Sequence, residues 1–432
     1  MSVGAANDGL ASGEMDWAFG RRIADWTIAV VVFLGAFVIA EPAPYELLLA
    51  PVIVVWALFG LKLNRYILPL IVLLGIYSAG GFLALTQLPD PASQLIYVVV
   101  TFFLALSAIF FAAVVSEAPE RRCRIIANAY IAAATVTALL GIVGYFHLVP
   151  GSDLFLLYDR AKGTFQDPNV FAPFLVLPII LLYRDILTTP LRRSFWKAAI
   201  LLVLLFAIFL AFSRAAWGMT VFAGLAISAI GYITSPRGLP RLRIVSLFGI
   251  GILIVALMVA VALTIPQVND LFADRGTSLL EDYDAGPDGR FGRHLQGFYL
   301  VLERPLGLGP FVFADLLGGD EHNMWLKGFT TYGWIGGFAY IALAIWTLAA
   351  ATPLLFKPRP WQTFVQCVYV VFVGHLLIHN VIDNDHWRHV FMLYGLLWGA
   401  IAAEKLHRRA GRQRMATAVQ PPLIEYAAPR PG

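Results

Sequence analysis

The stretch IVSLFGIGILIVALMVAVALTI, residues 244–265, decides the fold class: 22 residues without one charged side chain. A helix needs about 20 apolar residues to cross a hydrocarbon core about 30 Å thick. In lipid only a helix or a closed barrel satisfies its own backbone polar groups. Eleven further runs of this kind accompany it, at 23–40, 45–61, 66–86, 93–116, 125–148, 168–187, 195–212, 215–234, 329–355, 362–381 and 390–404. The first follows Arg21-Arg22 in the manner of a signal peptide. It leads into no small-residue cleavage site and polar segment, so it reads as a span. Composition agrees. Of 432 residues, 59% are hydrophobic and 13% charged, with a mean hydropathy of +0.75. Soluble domains run at about 45–50% and 25%. Such a chain is not a soluble enzyme, a disordered protein or a nucleic-acid-binding domain, despite a pI near 9.0. Two cysteines, Cys123 and Cys367, are too few for a disulfide scaffold or a cysteine zinc site. The expectation is an all-α polytopic membrane protein of about 12 transmembrane helices.

The net charge of +4 is uninformative until it is sorted by side. When the gaps between runs are assigned alternately, one side holds Arg21, Arg22, Lys62, Arg65, the arginines at 121, 122 and 124, and the basic residues of 184–197, 237–243, 357–359 and 405–430. That side carries 22 of the 31 Lys and Arg and 9 of the 27 acids, and the other side carries 9 and 18. Cytoplasmic loops hold the excess of Lys and Arg. Both termini are therefore expected in the cytoplasm, with the acidic face outward. The layout is a cytoplasmic tail at 1–22, a membrane domain at 23–404 and a cytoplasmic tail at 405–432. The last of these is Pro/Ala-rich after Arg414 and expected to be disordered. Most connections are short. Two outward ones are long, at 149–167 and 266–328, and long loops are uncommon unless functional. No internal repeat divides the chain.

Four outward features carry chemistry. Arg160-Ala-Lys162-Gly-Thr-Phe-Gln-Asp-Pro-Asn169 leads into the sixth run. Pro168 and Asn169 suit a helix start, and Arg160 and Lys162 there either are solvated or face an anion at the helix N-terminus. Ser213-Arg214 occupies an almost absent outward loop, where an arginine either snorkels or marks a site. Gly289-Arg290-Phe-Gly-Arg293-His294 opens a segment whose Phe291, Leu295, Phe298 and Leu302 share one helical face, as in a helix lying against the membrane or the bundle. This segment runs on to Pro305-Leu-Gly-Leu-Gly309, whose glycines suit turns better than phosphate cradles. Glu321-His322-Asn323 precedes the tenth run. The distinctive EPAPYELLLAP at 41–51 has no evident role.

An outward set of arginines with one histidine suits a particular reaction. The guanidinium fork matches phosphate oxygens in pairs, and histidine accepts a proton near neutral pH. Arg214 and Arg290 would stabilise charge on a departing diphosphate while His322 activates a hydroxyl. A metal reading is weaker. Asp383, Asn384, Asp385, His386 and His389 form a short outward cluster with two histidines three residues apart, but no specific acidic motif, and helix capping and loop ordering account for them better. No cofactor is implied.

The ordered set RAKGTFQDPNVFAPFL, AFSRAA, GR followed by PLGLG fifteen residues after Arg290, and HNMWL with YGWIGG, over about residues 150–340, resembles the O-antigen ligase/polymerase superfamily of bacterial membrane enzymes. The resemblance implies a GT-C-like, metal-independent, inverting glycosyltransferase of the inner membrane, working at the periplasmic face on an undecaprenyl-diphosphate-linked glycan donor. Its catalytic positions fall on Arg214, Arg290 and His322, with Arg160, Lys162, Asn169, Arg293 and Asn323 as substrate-binding candidates. Arg293 competes with Arg290 for the loop arginine, and the spacing to Pro305 favours Arg290. The acceptor, lipid A-core in a ligase or a second lipid-linked glycan in a polymerase, is not marked by any motif. The competing reading is a twelve-span secondary transporter, which shares the layout with both ends inside but commonly shows repeated halves and polar midspan residues. Here His375 and Gln366 are the main polar exceptions.

Overall fold

A computed structural model describes residues 20–277, 286 and 289–418. The chain forms α1 (20–34), α2 (Pro44–Phe59), α3 (Leu68–Leu85), α4 (Ala92–Glu117), α5 (Pro119–Tyr145), α6 (Pro168–Thr188), α7 (Leu191–Leu210), α8 (Arg214–Thr234) and α9 (Leu239–Ala262). Then follow α10 (Pro266–Thr277), α11 (Arg290–Glu303), α12 (Val312–Leu317), α13 (Met324–Ala351), α14 (Gln362–Ile378) and α15 (Arg388–Ala418). The one described sheet is a two-residue antiparallel ladder pairing Leu156 with Ala161 and Leu157 with Arg160. Each of the twelve apolar runs coincides with a helix. Eight of them, α3 to α9 and α13, are long and apolar enough to cross a membrane. Helices α2 and α14 have 16 and 17 residues, and the apolar part of α15 ends at Glu404-Lys405. The protein is all-α and multi-pass.

α9 explains why a bilayer is required. Its side chains stay exposed nearly all round, Leu253 at 69% and Leu257 at 63%. No other helix among the described residues covers them, and a soluble protein does not leave such a surface in water.

The centre is built by close helix approach, because lipid gives helices no hydrophobic reason to associate and small residues let backbones meet. A Cβ on Gly395 would lie 2.4 Å from the Ala108 carbonyl oxygen, and one on Gly399 would lie 2.6 Å from Val115 Cβ, so α15 lies directly against α4. Gly80 does the same for α3 against α13, where a Cβ would lie 2.4 Å from the Tyr332 carbonyl oxygen.

Ion pairs sort the loops onto two ends. At the basic end Arg121 and Arg122 hold Asp25, Lys62 reaches Glu117 at 3.3 Å, and Glu404 gathers Arg359 (2.8 Å), Arg408 (2.7 Å) and Lys357 (3.8 Å). At the acidic end Arg388 grips Glu41 and Glu46, which gives the 41–51 segment its role: it ties α2 to the start of α15. Among the described residues no ion pair joins the two ends, in keeping with the alternation of charge along the sequence. One boundary moves. The tail expected from residue 405 is helical as far as Ala418, because LHRRAGRQRMA is rich in helix formers and Glu404 anchors its first turn. The rest of that tail, and residues 1–19, lie outside the described residues.

The 305–309 part of the long segment before α13 packs against that helix. That helix breaks at Gly333 (φ 67°, ψ −177°), and Pro305–Gly309 fills the break. Trp334 N–H donates to the Pro305 carbonyl (2.9 Å), and Leu308 N–H donates to that of Thr330 (2.6 Å). Gly307 and Gly309 turn with φ of 84° and 90°. They are turn glycines.

Candidate active site

The acidic end converges on the turn before α13. Asn323 caps that helix, its side-chain oxygen accepting from Leu326 N–H at 3.1 Å. Asp383, in the loop between α14 and α15, accepts from two consecutive amides, His322 N–H at 3.0 Å and Asn323 N–H at 2.9 Å. Met324 N–H donates to the His379 carbonyl (2.8 Å), so the whole turn is held by that loop. The grip sustains His322 at φ 47°, a left-handed conformation that costs a non-glycine residue of order 1–3 kcal/mol. His322 Nδ1 lies 4.0 Å from Asp383 Oδ2. Burial lowers the imidazole pKa, and Asp383 pulls it back only in part. The side chain therefore stands neutral and able to accept a proton.

α11 brings the loop arginines to the same turn. His294 donates from Nε2 to the Glu321 carbonyl oxygen at 2.7 Å. Arg290 and Arg293 both lower the pKa of His322, so both cations lie within electrostatic reach of it. Arg293 is 7% exposed, and its Nε has no hydrogen-bond partner. Its guanidinium lies over Gly319, where a Cβ would come within 2.4 Å of Nη1. It forms no ion pair with any described residue. The buried stripe of α11 is Arg293, Gly297 and Val301. The apolar stripe of Phe291, Leu295, Phe298 and Leu302 is more than half exposed at every position and faces away from the bundle. Of the two placements expected for that stripe, the structure excludes packing on the bundle.

Beneath the turn lies a charge cluster that the sequence does not announce. Lys327, 13% exposed, sits among Glu321 (3.9 Å), Asp383 (3.7 Å) and Asp385 (3.8 Å). Asp385 also accepts from the Tyr97 and Tyr332 hydroxyls, the latter at 3.1 Å. The Thr101 hydroxyl bonds the Tyr332 hydroxyl and His386 Nε2, each at 2.9 Å. Burial pushes Asp385 up, but Lys327, His386 and the two phenols outweigh it and hold its carboxyl low. One cation cannot neutralise three carboxylates, so burial raises Asp383 and pushes Glu321 up to about 7, against the pull of Lys327. A carboxyl raised by folding contributes stability that is fully present below its unfolded value and is lost as pH rises through the folded one. For Glu321 that window runs from 4.5 to about 7. Glu321→Gln is expected to remove this slope, so that thermal unfolding of the variant between pH 5 and 8 falls less steeply than that of the parent.

The remaining site residues are placed as follows. Arg160 is buried and spends two nitrogens within the chain, on the Ala211 carbonyl (2.8 Å) and on Asn169 Oδ1 (2.8 Å). Arg160 and Asn169 thus satisfy each other and tie the 149–167 loop to the turn before α8. Asp167, not Asn169, caps α6. Lys162 is half-buried and holds its loop through its backbone, N–H to the Phe155 carbonyl at 2.9 Å. Arg214 is exposed at the first residue of α8, and no described contact links it to His322. His386 and His389 diverge: His386 stacks on Tyr97, while His389 is buried beside His375 and Trp387. Among the described residues no three His, Cys, Asp or Glu side chains converge as a metal site requires. Lys327, Tyr97, Tyr332 and Thr101 are the residues missed from sequence. The available signal is a lysine and two tyrosines at the ends of apolar runs, where polar groups need partners. Comparison with family models and with curated proteins finds no match for the chain.

Proposed function

We propose that the protein is a twelve-span glycosyltransferase of the bacterial inner membrane, with both termini cytoplasmic and its acidic end periplasmic. The observation that carries this reading is a histidine whose backbone amide is held by a carboxylate and whose imidazole pKa is lowered, with two arginines of α11 within electrostatic reach of it. The four motifs that resemble the O-antigen ligase/polymerase superfamily supply the substrate class. An acceptor hydroxyl attacks the anomeric carbon of the undecaprenyl-diphosphate-linked glycan. His322 takes the hydroxyl proton, the bond from anomeric carbon to phosphate oxygen breaks, and undecaprenyl diphosphate leaves with inversion. Arg290, Arg293 and Arg214 would balance the charge on the departing diphosphate. Arg293 suits this task because nothing among the described residues neutralises it and its burial in low dielectric strengthens any phosphate contact.

The test is reconstitution in proteoliposomes with a lipid-linked glycan and an acceptor. Covalent product with release of undecaprenyl diphosphate is expected. Uptake without covalent product overturns the proposal in favour of a transporter. Within it, Gly319→Ala would displace the Arg293 guanidinium and is expected to lower transfer about 10²-fold, the scale of one lost donor to a developing charge, as Arg293→Met would. A Gly319→Ala variant with the parental rate of diphosphate release would remove Arg293 from the reaction.

A further inference from the structure

The basic end contains a cation that the proposed reaction does not use. Arg184, near the end of α6, is 6% exposed. Its Nε and Nη1 have no hydrogen-bond partner, and Nη2 has only the Gln366 side-chain oxygen, at a marginal 3.4 Å. Gln366 is oriented for this by donating its own nitrogen to the Leu355 carbonyl at 2.7 Å. Among the described residues no carboxylate pairs with the guanidinium. The neighbouring Asp185 is held by Lys197 and Thr189. An unpaired charge buried among spans is costly and ordinarily meets a counter-ion.

A cavity opens one turn further out. It measures about 600 Å³ and lies between α6, α8 and α9. Leu187, Leu242 and Ile244 give it an apolar wall, and Thr188, Ser235 and Arg243 give it a polar rim. Gly231 leaves the space through which Arg184 approaches this wall. A Cβ there would lie 3.3 Å from Arg184 Nη1 and 3.7 Å from Ile244 Cδ1. Arg243 fixes the rim by donating to the Ile186 carbonyl at 3.1 Å and to that of Thr189. Arg241 adds positive charge beside it, over the Tyr232 ring at 4.8 Å.

We propose that this cavity binds one anionic phospholipid, its phosphate drawn in to Arg184 under the Arg243 rim and its acyl chains against Leu187, Leu242 and Ile244. Basic pockets between spans at the positively charged face take anionic headgroups in this way, and arginine matches the phosphate oxygens in pairs. The site does not depend on the glycosyltransferase reading.

The experiment compares the full chain in nanodiscs of phosphatidylcholine alone and with added phosphatidylglycerol, reading thermal unfolding and, by native mass spectrometry, retained lipid. The parent is expected to melt higher with phosphatidylglycerol and to retain it. Arg184→Met should lose that increment and retain phosphatidylglycerol about ten- to a hundredfold more weakly, the loss of one charged hydrogen bond. In phosphatidylcholine alone it should melt at or above the parent, because an unpaired buried charge is gone. Arg184→Lys, which keeps the charge, should keep part of the increment and serves if the Met variant fails to fold. The proposal is overturned if the parent gains nothing from phosphatidylglycerol, if Arg184→Met gains as much as the parent, or if inorganic phosphate in phosphatidylcholine nanodiscs reproduces the whole shift.

Discussion

His322→Ala is expected to lower glycan transfer by about 10²–10⁴-fold, the usual contribution of a positioned general base, while membrane insertion and thermal unfolding stay at the parental level. Stability should be spared because the turn is held through backbone amides, which alanine keeps, and not through the imidazole. Removing the imidazole also relieves none of the left-handed strain at this position, so no compensating gain confuses the reading. Asp383→Asn tests the same assembly from the other side. The amide can still accept at one atom, so the turn persists, but the charge that raises His322 basicity is gone. A weaker base titrates lower. The acid limb of the kcat/KM profile should therefore move to lower pH while the plateau falls. A parental rate in His322→Ala would remove this residue from the chemistry, and an unmoved acid limb in Asp383→Asn would leave Asp383 with a structural role alone.

The second large effect is expected at Lys327. Lys327→Met leaves Glu321, Asp383 and Asp385 facing one another without a cation, at distances from the lost ammonium of 3.9, 3.7 and 3.8 Å. Removing one partner of a buried ionic cluster costs about 3–5 kcal/mol, and here it also loosens the Asp383 grip on His322. The variant should unfold well below the parent in detergent, and its transfer activity should fall with it. Two dependences identify the cause. Lowering pH from 8 toward 5 should recover part of the lost stability, since burial already raises Glu321 to about 7 in the parent, loss of the Lys327 pull raises it further, and protonation removes the repulsion. Adding Asp385→Asn should also recover part, by removing one of the uncompensated charges. Parental stability in Lys327→Met, or a deficit independent of pH, would mean that Lys327 is not the centre of this cluster.

Residues 244–265 show how much of the fold is legible without coordinates. A run of 22 uncharged apolar residues becomes a helix whose sides stay exposed, because lipid is its solvent. The same reasoning places the other eleven runs on helices, and the alternation of charge matches the ion-pair ends. Both are local or summed properties, and they survive whatever the helices do to one another. The site was legible in part. Arg290 and Arg293 come within electrostatic reach of His322, since α11 and the turn before α13 belong to one long segment of the acidic end. Arg160 and Asn169 meet each other and the Ala211 carbonyl, away from that turn.

The sequence by itself determined the class, the apolar helices and the set of cations on the acidic end, because hydrophobic length and charge are carried by consecutive residues. The tertiary structure decided which of those cations face a site. α11 turns its apolar stripe away from the bundle and Arg293 inward, against the usual sense of an amphipathic helix, because a glycine at 319 opens room for a guanidinium. Likewise Asp383 reaches His322 only because α13 and α14 place residues 61 apart at hydrogen-bond distance. No periodicity encodes that pairing. It comes from helix packing, with a buried carboxylate that had to find donors.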